Sequence, residues 1–331
     1  MIQVQCSGCQ KKYSIPDEKL PEGKELDLPC PACKTIIKIK KPAIEVQDAP
    51  SVPNPASGQV LMEKIIKNSK ALPPMPQIIA KATEVLSSEK SGFNDVGKVL
   101  ETDQAMATRV LKLANSAYYA LANPVSSVQL ASALLGYQTL MELITVVSTS
   151  KMMGKHLNGY GIDAKEVWRH SLSVAMGAKL IAQKNFSYMV NDAFNAGLIH
   201  DSGMLILDDY VAKQRDKFQE IIDSGKPIQE AEQELFGFDH GEIASEFFLK
   251  WKLPSSQTHA IKYHHAPSKS GKDLLSYILH VSDALDNRNN TEKNFTQDPE
   301  ALSVVNLTNE ELDELSAEVK EGVLHIMESI V

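Results

Sequence analysis

The stretch Leu100-Glu101-Thr102-Asp103-Gln104-Ala105-Met106-Ala107-Thr108-Arg109-Val110-Leu111, continued by Leu113-Ala114-Asn115-Ser116-Ala117-Tyr118-Tyr119, decides the fold class. Its apolar residues return at spacings of three and four, the signature of an amphipathic helix. Thr102-Asp103 supplies an N-cap and Asn115-Ser116 a capping turn. Ser126-Ser127-Val128-Gln129-Leu130-Ala131 then leads into Leu134-Leu135-Gly136. No nucleophile or general base stands out here, so the segment reads as helix packing.

The same periodicity extends outward. Val60-Leu61, Ile65-Ile66 and Ile78-Ile79 with Ala82, Val85 and Leu86 repeat it, Pro73-Pro74-Met75-Pro76 starts one helix, and Asn94-Asp95 caps another. Gly or Pro breaks recur along the chain and strand-like alternation is nearly absent. The expectation is a mostly α, multi-helical domain of roughly a dozen helices over 59–290, with halves at 59–155 and 156–290. Residues 42–58 carry four prolines among small and polar neighbours and read as a linker that neither packs nor forms helix. Residues 291–331 read as a polar loop, drawn from about 286, and a last helix. Thr308 and Glu311 form a capping-box pattern at its start, and Leu312, Leu315, Val319, Val323, Ile326 and Ile330 make an apolar stripe that packs on the domain or joins two copies.

Residues 1–41 have a different logic. All four cysteines of the chain lie there, as Cys6-Ser7-Gly8-Cys9 and Cys30-Pro31-Ala32-Cys33. Two CxxC knuckles at this spacing suit a tetrahedral, all-thiolate zinc site, which leaves no open position for catalysis. A redox pair is the alternative. Lys12-Tyr13-Ser14-Ile15 and Thr35-Ile36-Ile37-Lys38-Ile39 read as short strands of a small β ribbon. So few large apolar side chains cannot build a core, so the metal must supply much of the folding free energy. Lys11, Lys12, Lys34, Lys38, Lys40 and Lys41 make the ribbon locally basic, more simply a solvated face than a nucleic-acid surface. The segment resembles the short zinc ribbons that open many bacterial multidomain proteins.

The chain has 331 residues, 43% apolar and 23% charged, with net charge −8. That composition is globular and argues against a broad nucleic-acid surface. No apolar run is read as long enough to span a membrane, and the start lacks the pattern of a signal peptide, so the expected compartment is the cytoplasm and no membrane partner is expected.

Seven of the nine histidines fall between 170 and 280. Glu166 and His170 lie one helical turn apart on one face, His200-Asp201 is an adjacent pair, His240 opens a helix, His264-His265 ends one, and His280 and Asp283 share an apolar helix. A lone helical histidine is usually a satisfied polar residue. The set is different, because imidazoles and carboxylates from several helices can converge on divalent ions in a bundle core.

The phrases around Asn115-Ser116-Ala117 and Leu135-Gly136 closely resemble the HDOD family, relatives of the HD phosphohydrolases, over about residues 65–288. The order of histidines and aspartates is similar to the wider HD superfamily with its HD-GYP branch. The resemblance implies a metal site at His170, His200, Asp201, His240, His264, His265 and Asp283, with Glu166 as an extra carboxylate ligand. It implies Fe or Mn there, with Zn or Ni also suited to such a donor set, and Asp201 as the catalytic group if the site is active. His280 is expected in the core or behind the ligands. Two departures count against hydrolysis. Met204 stands where HD-GYP proteins carry a phosphate-facing lysine, and no Gly-Tyr-Pro phrase follows His265. The expected function is a regulatory module that binds metal and a protein or nucleotide signal. A metal-dependent phosphohydrolase and a nucleic-acid adaptor acting through the ribbon are the alternatives.

Overall fold

The computed structural model describes residues 2–15, 25–40, 55–68, 100, 103–288 and 298–330. The chain divides into two compact units, Met1–Val52 and Pro53–Val331.

The first unit is two hairpins. Strands β1 (Ile2–Gln5) and β2 (Lys12–Ile15) pair antiparallel with Ile2 opposite Ile15, and β3 (Glu25–Pro29) and β4 (Ile36–Lys40) with Glu25 opposite Lys40. The sequence patterns mark β2 and β4; their partners β1 and β3 are the additional finding. The two turns are built alike. Cys6 N–H donates to Lys11 O and Gln10 N–H to Cys6 O, as Cys30 N–H does to Thr35 O and Lys34 N–H to Cys30 O. Gln10 and Lys34 take the same left-handed backbone, at φ 64° and 61°.

The second unit is helical. In chain order it comprises α1 (Pro55–Asn68), α2 (Gln104–Ala114), α3 (Val128–Met153), α4 (Ala164–Asn185), α5 (Val190–Ile199), α6 (Ser202–Lys213) and α7 (Arg215–Asp223). There follow α8 (Ile228–Phe236), α9 (His240–Lys250), α10 (Ser255–Tyr263), α11 (Leu274–Arg288), α12 (Ala301–Val304) and α13 (Asn309–Ile330). Helix α4 is the axis: it packs against α5, α11 and α13 and buries Trp168, Leu172, Met176 and Ile181. Helix α2 packs on α3, while α9 bridges α6 and α10. Several starts are fixed by side-chain caps. Asp103 accepts from Met106 N–H, Ser127 from Leu130 N–H and Asp239 from Glu242 N–H. Thr308 and Glu311 make the reciprocal box expected at α13. The expected helix start at Pro73-Pro74-Met75-Pro76 and the cap at Asn94-Asp95 lie outside the described residues.

Three expectations need correction. Helix begins at Pro55, inside the stretch read as linker, because proline at the first helical position loses no hydrogen bond and its φ is already helical. Gly58, also in that stretch, is buried: a Cβ there would lie 3.2 Å from the Phe236 carbonyl oxygen. The loop read from about 286 begins later, since α11 continues through Asp286 to Arg288. Finally, one helix is long and apolar enough to cross a membrane by composition, Val128–Ser150 with mean hydropathy 1.5. Gly136 breaks it with φ 81° and ψ 167°, so neither limb, 128–135 or 137–153, reaches the roughly 20 residues of a straight span. Its Glu142 is buried against Lys179 of α4 at 2.6 Å, which makes it an element of the bundle.

Candidate metal centre

In the ribbon the four sulfurs lie within 4.8 Å of one another. Cys6 and Cys33 approach to 3.5 Å and Cys9 and Cys30 to 3.6 Å. Bonded sulfurs would sit at about 2.05 Å. A tetrahedron of Zn–S bonds of about 2.3 Å puts sulfurs about 3.8 Å apart, so the spacing suits a metal shell. Tyr13 O–H lies 3.2 Å from Cys30 Sγ, and its hydrogen bond lowers that thiol to about 6. The Thr35 side chain likewise lowers Cys33. A backbone hydrogen bond at Lys11 favours the Cys9 thiolate, yet burial and the three neighbouring sulfurs push this thiol up to about 11. A cation among the four sulfurs would relieve that crowding.

In the helical unit, His170 (α4), His200 and Asp201 (between α5 and α6), His240 (first residue of α9) and His264-His265 (just past α10) come together in space. Two groups of ligand atoms, each within 4.8 Å, share Asp201: one with His170 and His200, the other with His240, His264 and His265. Asp201 Oδ1 lies 3.0 Å from His200 Nε2, 3.2 Å from His240 Nε2 and 3.6 Å from His264 Nε2, and its Oδ2 lies 3.2 Å from His170 Nε2. Asp283 on α11 brings Oδ1 to 3.4 Å from His170 Nε2. His265 Nε2 meets His240 Nε2 at 2.7 Å.

The other ring nitrogens define the tautomers. His200 Nδ1–H donates to Gly197 O at 2.8 Å and His264 Nδ1–H to Ile261 O at 2.6 Å. A carbonyl only accepts, so in the neutral ring the lone pair is on Nε2. Those lone pairs face the acceptor oxygen of Asp201. His200 Nε2, His264 Nε2 and Asp201 Oδ1 are all buried without a hydrogen-bond partner. Buried unpartnered acceptors at such distances are costly unless a proton or cation joins them. The residues therefore fit a divalent metal group on their own geometry.

His170 and His240 are backed by carboxylates. His170 Nδ1 lies 2.8 Å from Asp286 Oδ2, and Arg169 clamps the same carboxylate at 2.5 and 3.0 Å. His240 donates to Glu232 Oε2 through both Nδ1, at 2.7 Å, and its backbone N–H, at 2.8 Å. Tyr160 O–H donates to the other Glu232 oxygen at 2.5 Å. Carboxylates behind ligating histidines orient the ring and raise its basicity.

The electrostatics agree. Burial and the neighbouring imidazoles hold His265 well below its usual range, and burial lowers His200. Burial opposes ionisation of Asp201, but the surrounding histidines overcome it and hold the carboxyl well below the usual range. Burial likewise opposes a charge on His240, yet Glu232 and Asp201 raise it well above.

Residues 72–267 match the family model of the HDOD domain. The chain belongs to the HDOD family. An uncharacterized protein of Treponema pallidum (strain Nichols) is 22% identical over 213 residues, 62% of this chain and 40% of its own length, so the chain spans less than half of that relative. A solved HDOD domain protein of unknown function from Geobacter sulfurreducens superposes with TM-score 0.68 at 23% identity, covering 84% of this chain and 98% of that one. A presumed phosphohydrolase of Shewanella amazonensis SB2B superposes with TM-score 0.65 at 20% identity, covering 82% and 98%. These identities speak for a shared fold.

Within the HDOD unit, Glu166 is not among the grouped ligand atoms. It lines a separate cleft with Lys165 and Arg169. His280 is fully engaged: its Nδ1–H donates to His264 O at 2.7 Å and its Nε2 accepts from Asp298 N–H at 2.8 Å, so it holds the backbone of His264. Met204 is buried in α6. Asp286 and Glu232 are the residues that sequence reasoning missed. Each occupies a core position of its helix: Glu232 falls in the Ile228, Ala231, Leu235, Phe236 stripe and Asp286 in the Leu275, Leu279, Ser282 stripe. A carboxylate at such a position is the signal that could have found them.

Proposed function

We propose that this HDOD protein is a signalling module that holds divalent metal, Fe or Mn, at the His/Asp centre and acts by binding a protein or nucleotide signal, with little or no hydrolysis. Zinc in the cysteine ribbon holds that unit folded, and the ribbon supplies a second contact. The observation that carries the reading is a centre rich in ligands but poor in phosphate-handling groups. The buried atoms of His200, His264 and Asp201 converge without hydrogen-bond partners, while apolar, buried Met204 stands where the resemblance to HD-GYP proteins implies a phosphate-facing lysine. Arg169, the cation adjacent to His170, turns two of its N–H groups to Asp286 and lines a separate cleft outside the ring of ligand atoms. The centre is also enclosed: the side chains of His170 and Asp201 are 10% and 13% exposed.

The convergence of these ligands favours a second reading, a metal-dependent phosphohydrolase, and the solved Shewanella amazonensis neighbour is described as a phosphohydrolase. Divalent metal bound there would supply Lewis-acid polarisation of a phosphate ester. In this chain His170, His200, Asp201, His240, His264, His265 and Asp283 would hold it, with the carboxylates of Asp286 and Glu232 fixing two of the rings. A nucleic-acid contact through exposed Lys11, Lys12 and Lys34 of the ribbon is the weakest alternative.

Elemental analysis and turnover assays on the full chain separate these. The expected result is about one zinc from the ribbon plus iron or manganese that disappears in Asp201→Ala, with no hydrolysis of bis(p-nitrophenyl) phosphate or cyclic dinucleotides. Steady turnover abolished by Asp201→Ala would establish the phosphohydrolase instead. Zinc in the ribbon alone would remove the metal-binding reading.

A further inference from the structure

A cleft of about 760 Å³ opens beside the metal centre, between the start of α4, the end of α11 and the second half of α13. That volume lies within the range of small-molecule sites, roughly 300–1,000 Å³ with apolar walls and few polar groups. Its wall carries Val323, Leu324 and Met327, and Leu324 is 55% exposed although it lies on the side of α13 that faces the cleft. Its polar end carries Arg169 next to buried Ser173, with Lys165 and Lys320 at the rim.

We propose that this cleft is a binding site for a small amphipathic anion, an apolar body bearing a phosphate or carboxylate, and that its occupancy is sensed at the metal centre through Arg169, Asp286 and His170. The proposal deepens the signalling reading, and it rests on that reading only for the effect on metal. Arg169 commits one N–H from each terminal nitrogen to Asp286, which leaves three of the five guanidinium donors for a further acceptor. Asp286, the carboxylate nearest the guanidinium, is already taken up by Arg169 and by His170 Nδ1. The remaining carboxylates of the cleft, Glu166 and Glu328, are matched in number by Lys165 and Lys320, and the charge of Glu166 also reaches Arg169 without taking up its hydrogen-bond donors. The donors of Arg169 are thus the polar feature still calling for a partner, and the apolar wall selects a ligand with a hydrocarbon or ring portion.

The coupling has a definite sign. An anion on Arg169 weakens the pull of the guanidinium on Asp286, so the carboxylate supports His170 more strongly as a ligand. Its charge also attracts a divalent cation at the centre. Anion and metal therefore bind with positive, reciprocal cooperativity.

Titration calorimetry of the full chain with octyl phosphate, octyltrimethylammonium as the charge-reversed control, and Mn²⁺ tests each part. Octyl phosphate is expected to bind at one site about tenfold more tightly than the cation, and Leu324→Asp and Lys320→Glu, both exposed changes, each to weaken it severalfold. Saturating octyl phosphate is expected to tighten Mn²⁺ binding about threefold or more. Equal or better binding of octyltrimethylammonium, or indifference to Leu324→Asp, overturns the site. Unchanged or weakened Mn²⁺ affinity overturns the relay. If the centre takes up no Mn²⁺ at all, the signalling reading and the relay fail together, while the octyl phosphate titration still decides the cleft.

Discussion

Replacing Gly203 by alanine tests the contact on which the metal centre is built. Gly203 follows the His200-Asp201 pair in the first turn of α6, where that helix crosses the start of α9. A Cβ at this position would stand 1.9 Å from the His240 carbonyl oxygen, 2.7 Å from its carbon and 2.9 Å from its Cα. All three are backbone atoms, so no side-chain rotation can relieve the clash. Ordinary carbon contact begins near 3.5 Å, which requires the helices to part by roughly 1.5 Å. Overpacking of this kind costs typically about 1–3 kcal/mol, and the better helix propensity of alanine returns at most about 1 kcal/mol. The larger effect falls on the site. Asp201 Oδ1 and His240 Nε2 are 3.2 Å apart across this crossing. A metal bound at about 2 Å from each cannot follow such a displacement, so Mn²⁺ affinity should fall at least about tenfold. Urea unfolding and Mn²⁺ titration measure the two effects. Gly225→Ala is the control: Gly225 has φ 92° and open space around a Cβ, so it costs about 1–2 kcal/mol of backbone strain and leaves metal binding alone. If Gly203→Ala keeps its unfolding midpoint and binds Mn²⁺ within about twofold of the parent, α6 and α9 do not meet as described.

Glu232→Gln keeps the shape of the group behind His240 but removes its charge, and should weaken Mn²⁺ binding about 10–100-fold by titration calorimetry; an unchanged affinity would mean that Glu232 has no part in tuning His240. Cys9→Ser should lose metal from the ribbon and collapse the ribbon's amide resonances to narrowly spread, unfolded positions, while the thermal midpoint of the helical unit stays put; a falling midpoint would contradict the division into two units. Thr308→Ala removes the cap of α13 and should cost about 1 kcal/mol, a drop of about 2–4 °C in melting temperature. The Glu311 carboxyl is held below its ordinary 4.5 by Lys184 and by the Thr308 backbone N–H. A depressed carboxyl contributes stability above its unfolded value and loses it as pH falls through the folded one. Parent and Glu311→Gln should therefore differ in melting temperature at neutral pH by a gap that shrinks as the pH falls below 4.5, and a gap that does not change with pH would refute the pairing.

What could be read from the sequence was chemistry carried by residue identity at short spacing. The cysteine knuckles, the His200-Asp201 and His264-His265 pairs and the caps at Asp103 and Thr308 all declare themselves within a few residues. What could not be read depends on how distant helices meet. Asp286 lies 116 residues from His170, at the end of a helix whose polar tail reads as loop. Glu232 reads as one acid among several on a charged helix, until Tyr160 and His240 are seen closing on its two oxygens. Glu166 shows the converse: sequence places it on the same helical face as His170, but one turn of α4 is enough to put it in the cleft. At Pro55 the error was to treat proline only as a breaker, when at a first helical position it is a starter.

The two candidate metal sites differ in what removing metal should do, and the difference follows from what surrounds each. The ribbon has strands of four and five residues and four sulfurs, with no apolar core among its described residues large enough to hold it, so loss of a bound ion should be loss of the fold. The His/Asp centre sits in a helical unit whose core is assembled independently of it, through Trp168, Leu172, Phe194, Leu198, Phe236 and Phe248. Its outer anchors, Asp286, Glu232 and the Gly197 and Ile261 carbonyls, hold four of the five rings, those of His170, His240, His200 and His264, by Nδ1 without needing anything at Nε2. Glu232 and Asp201 also favour a proton on His240, and that proton can stand in part for the absent charge. A chelator should therefore unfold the ribbon yet leave the helical unit folded, with its centre ready to refill. A site that can empty and refill without unfolding can report on metal or on a ligand coupled to it, whereas a ribbon that lost its metal would lose its fold with it.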